Sequence, residues 1–506
     1  MTLVSYPRAL ADLASANPDR PAVTDDHRSV TRSELLREST RLARRLLELG
    51  ATEGSFVTIC LPNSVEFMES LVACWMIGAI PQPVSSKLPD AELLAIIELA
   101  DPAVVIGREV EGRASLANPE GVAHEPAADG SGQADASGSG QTDSTDEPLP
   151  DVVSPSWKAP TSGGSTGRPK LIVCGEKALT DDEATPAIVA RRDGALLMPG
   201  PLYHNGPLSW ASHSLLSGGH VIVMERFDAA RTLELIDEHR VDTVYLVPTM
   251  MRRISRLPEE ARTAADLSSL RMVWHLAEPC PEWLKQEWID WLGADKIWEL
   301  YGGTENQAMT IIVGNDWLQH RGSVGRPVVG EMCILDADHR PVPPGTVGEI
   351  FMRRKPGGGR TYRYVGAEAT VIDGGWESLG DMGSMDADGF LYLADRKTDM
   401  ILSGGANIYP AEVEMALTEH PDVAGAAVIG LPSDDLGNTV HAIVQLDEDV
   451  TIDSESGMTE RLVAFLSERL VRYKVPRSFE YTHDVVRDEA GKVRRSQLRA
   501  DRITEE

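Results

Sequence analysis

The sequence predicts an α/β protein. Its large N-terminal domain holds two subdomains built on parallel sheets and a small β-rich subdomain, and a small α+β domain follows. Three observations predict this. Apolar strand-like runs alternate with helical patterns over residues 1–108 and again after residue 195, and such alternation implies parallel sheets. After Gly325 the pattern changes to short strands with Gly/Pro turns. From about residue 396 a fresh α+β pattern begins, so the domains are drawn as 1–395 and 396–506. At 506 residues the chain is too long for a single core.

The first clear element opens at Thr31-Arg-Ser-Glu34, a capping-box signature. Leu35, Leu36, Leu42, Leu46 and Leu47 follow at helical spacing, and Gly50 stops the helix. Residues 56–61 read as a strand, 64–77 as a helix and 104–107 as a buried strand. From Glu125 to Pro148, Ala, Gly, Ser, Gln and Asp dominate, with no Lys or Arg. Such a stretch buries too little apolar surface to offset its ordering entropy. A disordered insertion is therefore expected, over about 113–150. Strands are then expected at 195–198, 220–223, 243–247 and 272–274, with helices at 208–216, 229–239 and 282–292. The β-rich part is marked by 331–335 and 348–352. The last domain offers helices at 412–420 and 457–470 and strands at 423–429 and 441–446.

The formal net charge is −30, which disfavours nonspecific binding to nucleic acid or anionic membrane. A polyanionic ligand would need a local basic pocket and a metal ion. Cys60, Cys74, Cys174, Cys280 and Cys333 are scattered without a C-x-x-C pair. That spacing suits neither a zinc site nor a disulfide framework, so free thiols in a reducing cytoplasm are expected. The N-terminus lacks a signal-peptide layout, and the longest apolar runs fall short of a membrane span.

Five stretches carry chemistry. Thr161-Ser-Gly-Gly-Ser-Thr-Gly-Arg-Pro-Lys170 is rich in small residues and is followed by the apolar run Leu171-Ile-Val-Cys174. A hairpin turn whose amides and hydroxyls hold phosphate is expected there; a flexible linker is the alternative. It is not a Walker A loop, because no Ser or Thr follows Lys170. Glu299-Leu-Tyr-Gly-Gly-Thr-Glu305 ends a strand in a Gly-Gly turn, and strand C-termini are where open α/β sheets bind ligands. Its ring, hydroxyl and carboxylate suit a nucleobase, a phosphate and Mg²⁺. Asp381 follows a glycine and could accept two ribose hydroxyls or be a solvated turn aspartate. Residues 395–414 pass from a polar turn through a strand to Gly404-Gly405 and a helix start. Gly491-Lys492-Val-Arg-Arg495 is a basic cluster in a very acidic chain.

Together, in this order and spacing, these stretches resemble the adenylate-forming superfamily of acyl- and aryl-CoA synthetases, nonribosomal peptide adenylation domains and luciferases. The resemblance covers nearly the whole chain. It implies that Thr161, Ser162, Gly163, Gly164, Ser165, Thr166 and Lys170 hold ATP phosphates, and that Glu278, Pro279 and Tyr301 flank adenine. Thr304 would contact the α-phosphate, Glu305 would bind Mg²⁺, and Asp381 and Arg396 would hold the ribose. Lys492 would be the catalytic lysine of adenylation. His204, Trp210, Gly302 and Gln307 would line the substrate pocket. Gly404, Gly405 and Lys474 would belong to the CoA tunnel. Two positions depart from the family pattern: Thr398 at the hinge, where many members have Asp or Lys, and Asn306 after Glu305, where close CoA ligases often have Gly.

What the resemblance implies is an AMP-forming acid–thiol ligase using ATP, Mg²⁺ and CoA, with a mobile C-terminal domain. An ATP-dependent diazotase joining nitrite to an aromatic amine is an alternative on the same scaffold. A stand-alone adenylation enzyme loading a carrier protein is another. A degenerate, non-enzymatic binding protein is disfavoured by the intact Lys492, Glu305 and Asp381.

Overall fold

A computed structural model describes residues 3–117, 119, 149–163, 169–181, 191–355, 359–433, 435–452, 454–488 and 491–503. Most of the expected insertion, over 120–148, lies outside the described residues. Its expected start does not: Ser115–Leu116 is a strand, paired in parallel with Val104–Ile106. The Val105 and Gly107 amides are satisfied there by Ala114 and Leu116 carbonyls, which is why the chain stays ordered past 113.

Two parallel sheets form the N-terminal part. In one, Phe56–Ile59 lies between Ile80–Pro83 and Val104–Ile106. In the other, six parallel strands run in the order Pro21–Thr24, His220–Val223, Ala195–Met198, Thr243–Leu246, Met272–His275 and Ile297–Gly302. The helix Val65–Met76 is buried along its whole length within the main core. Ser64 caps it, accepting from the Phe67 amide at 3.2 Å. The Thr31–Glu34 capping box is present, with Thr31 N donating to Glu34 Oε2 at 2.8 Å.

The β-rich part is hydrogen-bonded to the second sheet. Met309–Val313 turns antiparallel beside Ile297–Gly302 and is followed across the sheet by Ser323–Val329, Leu391–Arg396, Trp376–Met385, Gly348–Arg353 and Glu331–Leu335. It still has its own apolar cluster, including Ile334, Ile350, Met352 and Leu391. Beyond Arg396 a separate core forms around Val413, Leu417, Val428, Val444 and Leu462. There the hairpin Val423–Ser433/Gly437–Leu446 pairs with Ser478–Thr482, and the helices Pro410–Thr418 and Glu455–Ser467 supply core residues. Among the described residues no helix is long and apolar enough to cross a membrane.

Candidate active site

A continuous cleft of about 2810 Å³ runs between the C-terminal ends of the parallel strands and the last domain. Both parts of the chain line it: Thr161, Lys170, His204, Glu278, Tyr301, Thr304, Glu305 and Asp381 from one, Arg396 and Lys492 from the other.

The strands that flank the phosphate-type loop pair as its sequence suggests: Thr161–Gly163 runs antiparallel to Pro169–Cys174. Gly164, Ser165 and Thr166 lie outside the described residues, and Ser162 and Gly163 are described through their strand alone. The Thr161 hydroxyl accepts from Gln82 Nε2 at 2.9 Å, and Gln82 Oε1 accepts from Thr58 at 2.5 Å. This polar chain ties the mouth of the loop to the first parallel sheet. Gln82 is a supporting residue that sequence reasoning missed.

At the end of the strand Ile297–Gly302, the Tyr301 hydroxyl donates to Asp381 Oδ2 at 2.6 Å. Arg396 Nε stands 3.4 Å from Asp381 Oδ1, and the two residues are register partners on adjacent strands. Burial raises the Asp381 carboxyl, while Arg396 and Tyr301 pull it down. So Asp381 is not a solvated turn residue. Three residues after Gly302, Glu305 Oε1 accepts from the Tyr364 hydroxyl at 2.5 Å. Lys170 Nζ lies 3.8 Å from the same oxygen and 3.9 Å above the Tyr364 ring. Tyr364, 59 residues from Glu305, carries no local motif, so nothing in the sequence marked it. Asn306 has φ +56°, a left-handed conformation that Asn tolerates better than most residues.

Lys492 enters from the last domain. Burial depresses its ammonium, with Arg396 lowering it further and Asp488 and Glu305 raising it. It also acts on His204, which burial first, and then the Lys492 charge, push down to about 3. His204 is therefore neutral at physiological pH. Glu278 lies below Gly491. Its Oε2 accepts from Thr249 at 2.8 Å, and burial raises it to about 7 against the pull of Arg487 and Arg252. Pro279 and Gly302 line the cleft nearby. Lys170, Arg396 and Lys492 thus bring positive charge to one place in a chain of net charge −30.

Four expected residues stand apart. Gln307 is buried and donates to Glu377 at 2.9 Å, away from the lining of the cleft. Gly404 and Gly405 form a hairpin turn between Ile401–Ser403 and Ala406–Ile408, outside the cleft lining. Lys474 is held by both oxygens of Glu412 at 2.6 Å. No cluster of three or more His, Cys, Asp or Glu side chains suited to a metal occurs among the described residues. Glu305 alone fits a Mg²⁺ ion that takes its other ligands from phosphates and water.

A tyrosine–aspartate–arginine group, a glutamate and converging lysines face one cleft, an arrangement suited to a polyanionic nucleotide. The chain belongs to the AMP-binding enzyme family: residues 10–363 match the AMP-binding enzyme domain and residues 412–492 its C-terminal domain. A feruloyl-CoA synthase of Amycolatopsis sp is 32% identical over 96% of this chain and 96% of that protein. A fatty acid–[acyl-carrier-protein] ligase of Streptomyces coeruleorubidus is 30% identical, over 96% and 94%. The o-succinylbenzoate CoA synthetase of Bacillus subtilis, solved with its acyl-adenylate intermediate, superposes with a TM-score of 0.78 at 25% identity, covering 98% of each chain.

Proposed function

We propose that the protein adenylates a carboxylic acid with ATP, releases pyrophosphate, and passes the acyl group to CoA. The observation that carries this reading is the meeting of Lys492 with Glu305, Arg396 and His204 in one cleft. In the first half-reaction the substrate carboxylate attacks the α-phosphorus, and the bond to pyrophosphate breaks. The chemistry is positioning plus neutralisation of charge on phosphate oxygens. Lys492 supplies that charge between the carboxylate and the α-phosphate, and Lys170 supplies it toward the other phosphates. Asp381 accepts from the ribose, with Tyr301 and Arg396 fixing its orientation. Glu305 and Thr304 face the phosphates; Glu305 would hold Mg²⁺, which would supply further positive charge there. Neutral His204 brings no charge of its own to the substrate carboxylate.

In the second half-reaction a thiol attacks the acyl carbonyl and AMP leaves. We assign residues 396–506 as a unit that turns about the segment at Thr398. The turn withdraws Lys492 and carries Gly404, Gly405 and the Glu412–Lys474 pair, which moves with the unit, toward the cleft. Their position outside the cleft in this conformation supports that division of labour. The two curated relatives differ in acceptor, CoA in one name and a carrier protein in the other, so the acceptor needs direct assay.

The test separates the half-reactions. Lys492→Ala is expected to lower pyrophosphate release about 100-fold or more. Thioester formation from a synthetic acyl-adenylate and CoA is expected to survive. Pyrophosphate release within a few-fold of wild type contradicts the assignment. A parallel arm with nitrite and an amino-substituted aromatic acid, without CoA, detects diazotase chemistry by product mass.

A further inference from the structure

Lys158 precedes the phosphate-type loop and is 6% exposed. Its ammonium donates to Ser209 Oγ at 2.7 Å and to Asn205 Oδ1, both in the first turns of the helix Asn205–Leu216. The Trp157 ring covers it at 4.0 Å. No carboxylate pairs with it among the described residues. Burial lowers it to about 8, against the opposing pull of Cys174 and Glu176. A buried ammonium with neutral partners is costly to keep unless a further acceptor reaches it.

A second donor in the same region is unsatisfied. Trp210 is 5% exposed, and its Nε1–H is buried without an acceptor among the described residues. Its ring is held edge-on by Tyr245 and Trp274 at 5.3 and 5.5 Å. Lys158, Asn205, Ser209 and Trp210 line the same cleft as His204, which begins this helix and feels the Lys492 charge. The helix therefore links the reacting end of the cleft to a donor-rich end.

We propose that Lys158 is a specificity-determining residue that receives a second oxygen acceptor, a ketone, phenol or carboxylate, at the far end of the acid substrate. This rests on the ligase reading. An acid without that group leaves the remaining N–H of the buried Lys158 ammonium without an acceptor, and such sites discriminate strongly against analogues lacking the partner.

The test uses matched pairs: phenylpropanoate against its para-hydroxy and para-carboxy forms, and decanoate against decanedioate. Pyrophosphate release gives kcat/KM for each with wild type, Lys158→Met and Lys158→Gln. In wild type the acceptor-bearing member of at least one pair is expected to be favoured by about tenfold or more. In Lys158→Met that ratio falls to near one, whatever the absolute rates. Lys158→Gln, a neutral donor, keeps a preference for the phenol and loses that for the carboxylate. Ratios near one in wild type, or a ratio unchanged in both variants, overturn the role of Lys158. Absence of pyrophosphate release with every acid counts instead against the ligase reading.

Discussion

Gly491 has φ +75°, and a Cβ built there would overlap the Glu278 carboxylate. Any side chain at 491 therefore keeps the last domain from seating, and with it the neighbouring Lys492. Gly491→Ala is expected to reduce adenylation at least about tenfold, with thioester formation from a synthetic adenylate largely retained. Equal loss of both half-reactions would mean that the substitution merely unfolds the segment, which a melting curve reports. The Tyr301–Asp381 bond gives another residue-scale expectation. Tyr301→Phe frees Asp381 to rotate and removes a charge-assisted hydrogen bond of about 1.5–3 kcal/mol. The KM for ATP should rise severalfold or more, measured with saturating acid; an unchanged KM would show that Asp381 is held without it. The meeting of Tyr301, Asp381 and Lys492 in one cleft was legible because each sits in a short motif with chemistry attached. Tyr364, Gln82 and Lys158 were not, because each acts through a partner distant in sequence that only folding brings near.

Between the helices Arg32–Glu48 and Val65–Met76, Arg28 meets three glutamates: Glu38 at 2.9 Å, Glu66 at 2.6 Å and Glu69 at 2.8 Å. One guanidinium cannot neutralise three buried carboxylates, and Glu69 Oε2 has no partner among the described residues. Burial first, and then the neighbouring Glu38, raises Glu69 to about 8. The folded group thus holds a proton that the unfolded chain releases near 4.5. The stability this proton gives is full at low pH and is lost as pH rises through about 8. Glu69→Gln is expected to melt above wild type by roughly 1–3 °C at pH 8.5 and to converge with it near pH 5. A constant offset across that range would show that Glu69 is ionised throughout. Periodicity and caps located both helices to within a residue or two. Burial on every side of Val65–Met76 was not legible, because it depends on a second sheet that packs from elsewhere in the chain. The same holds for the β-rich strands: their short runs were readable, and their hydrogen bonding to the parallel sheet was not.

The closed arrangement of the two parts rests largely on polar contacts. Arg256, at the end of the helix Pro248–Ser255, pairs with Asp447 and donates to the Val423 carbonyl at 2.8 Å. Arg494 approaches Glu92 at 3.8 Å. Motif order could reveal which family the chain joins, but not which of its poses it takes, since every motif is compatible with either. Arg256→Ala is expected to slow pyrophosphate release severalfold while leaving thioester formation from a synthetic adenylate intact; equal slowing of both steps would place Arg256 elsewhere in the cycle. The apolar core around Val413 and Leu462 is distinct from that around Phe67 and Trp75. Heat should therefore find two cooperative units where the chain has one active site. A scanning calorimeter is expected to record two endotherms for the free protein. A non-hydrolysable acyl-adenylate mimic, gripped by Asp381 on one side and Lys492 on the other, should merge them into one. The reaction intermediate would then be the mortar of the enzyme that makes it.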